Sequence, residues 1–237
     1  MSKSKTLILV EGEKTDFKLM ERLLTQYSIK DMHDIISYKT NIYSLYNTMF
    51  KGVNPSELDI LAHLKSLEPD VSMKKLFDQR FSDILLIFDF DPQDSNFSDK
   101  VISEMVEYFI ESTEMGKLYL NYPMVESFYH MKNIPDADYN TYTASLSELQ
   151  KRTYKARVNA ENRNKDYSKF SSTRAESSTV ICQNIEKARL ITNSNDSIPD
   201  QISLLKEQLA QLHSCKNVYV LCTCVFYIAD YNPGLLI

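Results

Sequence analysis

The chain has 237 residues, 43% of them hydrophobic, which is enough apolar material for a substantial core without disulfide staples. A net charge of -5 gives no global pull toward nucleic acid, so any polyanion contact has to come from a local patch or from metal ions. No apolar run reaches the ~20 residues of a spanning helix, and the four cysteines lack CxxC spacing, so the expectation is a cytoplasmic protein with reduced thiols and no membrane partner.

Residues 5–11, KTLILVE, read as a strand covered on both faces, because residues 7–10 are continuously aliphatic. A helix over 16–27 follows, with Phe17, Met20, Leu23, Leu24 and Tyr27 at helical spacing, Thr15 as N-cap and Asp16 favoured by the macrodipole. A short strand at 34–40 precedes a helical insertion over about 43–80, broken near residues 54–55 and at Pro69. DILLIFDFD, residues 83–91, is the strongest strand signal and is stopped by Pro92. An amphipathic helix over 98–112 follows it, then a strand at 117–122 and a short helix at 124–130. Beyond a soft boundary near 134–142 the pattern is helical at 145–162, 177–192 and 199–213, and the apolar stretch 218–228 reads as a core element. Alternating strands and helices predict a mainly parallel α/β sheet flanked by helices in residues 1–135, with a mainly helical region at 136–237.

In such a sheet, ligands bind outside the carboxyl ends of the strands, and the carboxylates gather at such ends. Glu11 ends the first strand; Asp89 and Asp91 end a later one and, by strand alternation, point the same way. Carboxylates so placed repel unless a divalent cation joins them, and Mg²⁺ (or Mn²⁺) suits a few carboxylates plus phosphate oxygens. Gly12 lets the chain turn closely, and the helix start beyond it offers amides to the same anion. For Glu11 the alternative is a solvated turn residue, and for the aspartates a polar strand terminus.

These residues resemble the Toprim domain, whose signature is Glu-Gly at the end of one strand and Asp-x-Asp at the end of a later one. VEGEKTD supplies Glu11 and Gly12, and IFDFDPQD supplies Asp89 and Asp91. EGEKTD is especially similar to the RloB and abortive-infection group of stand-alone Toprim proteins, related to OLD-family nucleases, with Asp16 in place of a usual Glu. NYPMVESFYH resembles that group's Asn-Pro-x-Phe-Glu segment, with one extra residue before the proline. The resemblance covers residues 5–131. It implies Glu11 as general acid/base and metal ligand, Asp89 and Asp91 as ligands, Asp16 and Glu126 as accessory ligands, and Gly12 and Lys14 against phosphate. The expected activity is Mg²⁺-dependent phosphodiester cleavage of DNA or RNA, tRNA included, in antiphage defence and beside an ATPase partner.

Residues 151–174 form the one strongly basic stretch, with Lys151, Arg152, Lys155 and Arg157 foremost and Tyr154, Tyr167 and Phe170 interleaved. It reads either as a nucleic-acid track with aromatics for unpaired bases or as a solvated helix and loop. His130 reads as a structural histidine, and Asp94 as a loop residue. Two other readings remain open: a non-catalytic nucleic-acid or nucleotide-binding subunit of an ATPase complex, and a haloacid-dehalogenase-like phosphatase, which IFDFD also resembles but which leaves Glu11 without a task.

Overall fold

The computed structural model describes residues 5–51, 58–113 and 115–236. Strands β1 (Lys5–Val10), β2 (His33–Ser37), β3 (Phe81–Asp89) and β4 (Lys117–Asn121) form one sheet in the order β2-β1-β3-β4, with every neighbouring pair parallel. The two inner strands carry the two aliphatic runs, and residues 7–10 and 84–88 have no solvent exposure. Strands buried on both faces need such runs, so the α/β architecture follows directly from them.

Helix α1 (Thr15–Gln26) links β1 to β2, whereas α5 (Asp99–Tyr108) links β3 to β4. The chain therefore leaves β1 toward one edge of the sheet and β3 toward the other. Their carboxyl ends flank the point where the winding reverses, which is where an α/β sheet opens a crevice. Between β2 and β3 lie α2 (Ile42–Met49), α3 (Ile60–Leu67) and α4 (Val71–Leu76), which fill the expected helical insertion. Each starts on an Asx cap: Asn41 accepts from the Ser44 amide, Asp59 from Ala62, and Asp70 from Ser72 and Met73. Pro69 separates α3 from α4; the other expected break, at residues 54–55, lies outside the described residues.

The remainder comprises β5 (Thr143–Ser145), α6 (Leu146–Gln150), α7 (Tyr154–Glu161), α8 (Arg174–Thr192), α9 (Gln201–Cys215), β6 (Asn217–Tyr219) and α10 (Phe226–Tyr231). α8 packs on α1, and α9 packs on α5 and β4. The antiparallel β5–β6 pair was not expected; strands of three residues are too short to show a period. The single helix expected over 145–162 is two helices. Arg152 takes a left-handed backbone (φ +57°), the Thr153 amide reaches back to Glu148 O (3.1 Å), and the Arg152 amide reaches Leu149 O (2.9 Å), a Schellman closure that ends α6. Thr15 is the first helical residue of α1 rather than its N-cap; Lys14 holds that position without a side-chain cap.

The apolar stretch at 218–228 lies in the core: residues 220–226 have no solvent exposure. Tyr122 and Leu221 exchange backbone hydrogen bonds of 2.8 Å in both directions, and Thr223 Oγ1 donates to Leu120 O (2.7 Å), extending β4 sideways. From α8, the fully buried Asn184 Oδ1 accepts from the Cys222 amide (2.9 Å) and the Tyr139 hydroxyl (2.6 Å). Among the described residues no helix is long and apolar enough to cross a membrane. Replacing Asn184 by Ala strands a buried amide, so an N184A variant is expected to lose about 1–3 kcal/mol of stability, read from the midpoint of urea denaturation.

Candidate functional site

The parallel ladder between β1 and β3 runs on past the last strand residue of β1. The Glu11 amide donates to Ile87 O (3.0 Å), and the Glu11 carbonyl accepts from the Lys39 amide (3.0 Å). With its backbone fixed on both sides, Glu11 turns its carboxylate toward β3, where Oε2 accepts the Asp89 amide (3.1 Å). Asp89 Oδ1 in turn accepts the Val125 amide (2.8 Å), from the short 3-10 helix Val125–Tyr129 that follows β4.

Asp91 reaches the same place by a different route from the one strand alternation predicts. β3 ends at Asp89, and Asp91 sits beyond it with a left-handed backbone (φ +40°), its amide donating to Pro123 O (3.1 Å) and its carbonyl accepting from Asp94 (3.0 Å). Aspartate is among the few residues that visit this conformation readily. The turn brings ligand oxygens of Glu11, Asp89 and Asp91 within 4.8 Å of one another.

Two further carboxylates crowd this trio electrostatically, and both are buried: Asp16 at 6% and Glu126 at 3% exposure. Each keeps one oxygen, Asp16 Oδ1 and Glu126 Oε2, with no hydrogen-bond partner. Gly12 explains how Asp16 gets there, because a Cβ at residue 12 would stand 2.5 Å from Asp16 Oδ2. Lys155 on α7 is the counter-charge, its Nζ 2.9 Å from Glu126 Oε1.

Crowding and shielding from water raise the pKa values of Glu11, Asp16, Asp89 and Asp91. Burial first, then the charges of Asp91 and Asp16, push Glu11 up to about 8 against the pull of the Asp89 amide. Burial and the Glu126 charge raise Asp16 to about 6. Asp89 and Asp91 are also raised, chiefly by burial, Asp89 also by its neighbours' charges. Burial disfavours the Lys155 ammonium, yet Glu126, Asp89 and Asp91 together hold its pKa above the ordinary lysine value. Carboxylate oxygens converging from Glu11, Asp89 and Asp91, with unpartnered ones on Asp16 and Glu126, are a donor set that a hard divalent cation satisfies, so the residues fit Mg²⁺ or Mn²⁺.

Above the carboxylates opens a cleft of about 670 Å³, walled by Gln93, Asp94, Met124, Leu149, Arg152 and Lys155. The basic stretch contributes unequally. Arg152 and Lys155 line the cleft; Lys151 is exposed outside it; Arg157 is committed to Glu148 (3.2 Å) and Thr143 O (2.7 Å). Tyr154 and Phe170 cannot stack on bases, because they are core residues at 1% and 0% exposure. Asp94 holds its own loop, accepting from Asn41 Nδ2 (2.8 Å) and the Asn96 amide (2.7 Å). His130 is structural in its contacts, buried between the Tyr154 hydroxyl (3.2 Å) and Glu161 (3.1 Å), and burial holds its pKa at about 4.

Lys14 faces a second cavity, of about 390 Å³, together with Lys18, Arg22, Tyr129 and Tyr167. Of these, Lys18, Arg22 and Tyr129 escaped the sequence reading; the available signal was the spacing of Lys14, Lys18 and Arg22 along one face of α1. No family model, curated protein or solved structure matches this chain.

Carboxyls whose folded pKa is raised bind more protons folded than unfolded between the two values, so stability falls as pH rises through that window. Here the window runs from about 4.5 to about 8 for Glu11. In EDTA the melting temperature is expected to drop by at least ~4 °C between pH 5.5 and 8, and less in an E11Q variant. Mg²⁺ should restore more of the loss at pH 8 than at pH 5.5, as scanning calorimetry can read.

Proposed function

We propose that this chain is a Toprim-type nuclease that hydrolyses phosphodiester bonds in DNA or RNA with Mg²⁺ or Mn²⁺. The observation that carries this reading is the meeting of Glu11, Asp89 and Asp91 oxygens within 4.8 Å at the carboxyl ends of two adjacent parallel strands. Two buried carboxylates with unpartnered oxygens, Asp16 and Glu126, support it, since they offer charge beyond what one ion needs. Glu11, Asp89 and Asp91 would hold the cation, with Asp16 and Glu126 available to a second.

A divalent cation in this position supplies a Lewis acid for phosphate oxygens and lowers the pKa of bound water. The chain's own residues do the rest. The Asp89 amide fixes the Glu11 carboxyl, so one oxygen faces a defined direction, which suits it to hold or move a proton beside an entering phosphate. Arg152 and Lys155, which line the same cleft, offset the charge of an entering phosphate. One cleft thus holds both carboxyls and cations, a combination suited to a polyanionic ester.

The antiphage role, tRNA among the substrates and an ATPase partner rest on the EGEKTD resemblance. One observation favours a non-catalytic nucleic-acid or nucleotide-binding subunit of such a complex: the Lys155–Glu126 ion pair already neutralises one of the carboxylates.

Purified protein is expected to cleave at least one of single-stranded DNA, duplex DNA, plasmid or tRNA with Mg²⁺ or Mn²⁺, and EDTA should stop it. E11Q should slow the reaction about 10²- to 10⁴-fold, and D89N should remove both cleavage and Mn²⁺ binding by calorimetry. Metal-dependent cleavage that survives both substitutions sinks the assignment. Mn²⁺ binding without cleavage of any substrate favours the binding-subunit reading instead.

A further inference from the structure

The second cavity has its own lining and is tied to the acidic cleft at two points. Lys14 and Thr15 line it only a few residues after Glu11, and Tyr167 donates its hydroxyl to the carbonyl of Lys155 (3.5 Å), the residue that faces the carboxylates. Glu126, the ion-pair partner of Lys155, is near enough for its charge to act on both Tyr129 and Tyr167.

Its lining differs in kind from that of the cleft. Lys14 and Lys18 are exposed, one helical turn apart on α1, and among the described residues neither is held in a salt bridge. In the same lining, Tyr167 lies flat on Tyr129, with ring centres 4.2 Å apart and planes 8° from parallel. Tyr129 is 4% exposed, so the half-buried Tyr167 is the ring with surface left to offer. The loop carrying Tyr167 is clamped in place: Arg22 donates to Tyr167 O (3.1 Å) and Phe170 O (2.8 Å), while Gln26 donates to Ser171 O (3.1 Å). The result is a preset cavity lined by an aromatic ring and by two ammonium groups that make no salt bridge among the described residues.

That combination matches one ligand chemistry, a nucleotide whose base is unstacked and whose phosphate is negatively charged. A duplex keeps its base faces stacked and cannot use the ring. We infer that this cavity holds an unpaired nucleotide next to the scissile position, with its base on Tyr167 and its phosphate on Lys14 and Lys18, so the strand entering the acidic cleft is single-stranded there. The inference rests on the acidic cleft being the phosphodiester site and adds the class of substrate.

The test measures anisotropy of a labelled oligothymidylate and of a duplex of equal length, with Ca²⁺ in place of Mg²⁺ and across a salt series. Wild-type protein should prefer the single strand. Y167A should weaken the single strand about 5- to 100-fold and leave the duplex unchanged, whereas Y167F, which keeps the ring, should bind like wild type. A K14A/K18A variant should flatten the slope of log K against log salt by about 1.4, two phosphate contacts at about 0.7 each. Melting temperatures near that of wild type show that the variants are folded. Equal affinity for strand and duplex, or single-strand binding untouched by Y167A and by K14A/K18A, overturns the inference. Mn²⁺ calorimetry on the same variants separates the two readings. If the cavity is wrong, metal binding and cleavage persist without these effects; if the nuclease reading is wrong, Y167A still weakens the strand while no substrate is cut.

Discussion

Everything at the site hangs on the parallel register of β1 against β3. Val10 pairs with Ile87 and the ladder continues for one more bond, Glu11 amide to Ile87 carbonyl, before the chain turns away. That last bond sets the height at which Glu11 stands, and the Glu11 carboxylate then caps the Asp89 amide. A slip of one residue would turn every side chain of β1 to the other face and carry the aliphatic run with it. The burial of residues 7–10 and 84–88 therefore protects the geometry of three carboxylates that contribute nothing to that burial.

Crowding the acids costs the fold free energy, and the surroundings show how it is limited. Backbone amides serve Glu11 and Asp89, Gln93 Nε2 donates to Asp91 Oδ1 (2.9 Å), and Lys155 leans on Glu126. Among the described residues, one oxygen each of Asp16, Glu126 and Gln93 stays buried without a partner. Unsatisfied buried acceptors are rare in native interiors and call for an explanation; a polar ligand arriving from the cleft provides one.

How much of this was readable beforehand depended on how local each signal is. The inner strands announced themselves because burial on both faces needs unbroken aliphatic runs, and the carboxylates stood out because they follow those runs at once. The left-handed turn at Asp91 was not readable, since it is held by Pro123 O, a partner more than 30 residues away in the chain. The burial of Tyr154 and Phe170 was likewise hidden: Tyr154 packs on His130, and Phe170 on Phe128 and Tyr129, contacts that spacing within 151–174 cannot reveal. The cavity joining Lys18 to Tyr167 brings together residues far apart in the sequence, and only the packing of α1 beneath the loop after α7 makes them neighbours.

The backbone at Asp91 has a consequence for descent. Asparagine shares aspartate's tolerance of left-handed backbone and nearly its shape. A change to asparagine would keep the turn after β3 and discard the negative charge. At this position architecture and negative charge are thus separable by one conservative replacement, and a lineage can lose the second while inheriting the first intact.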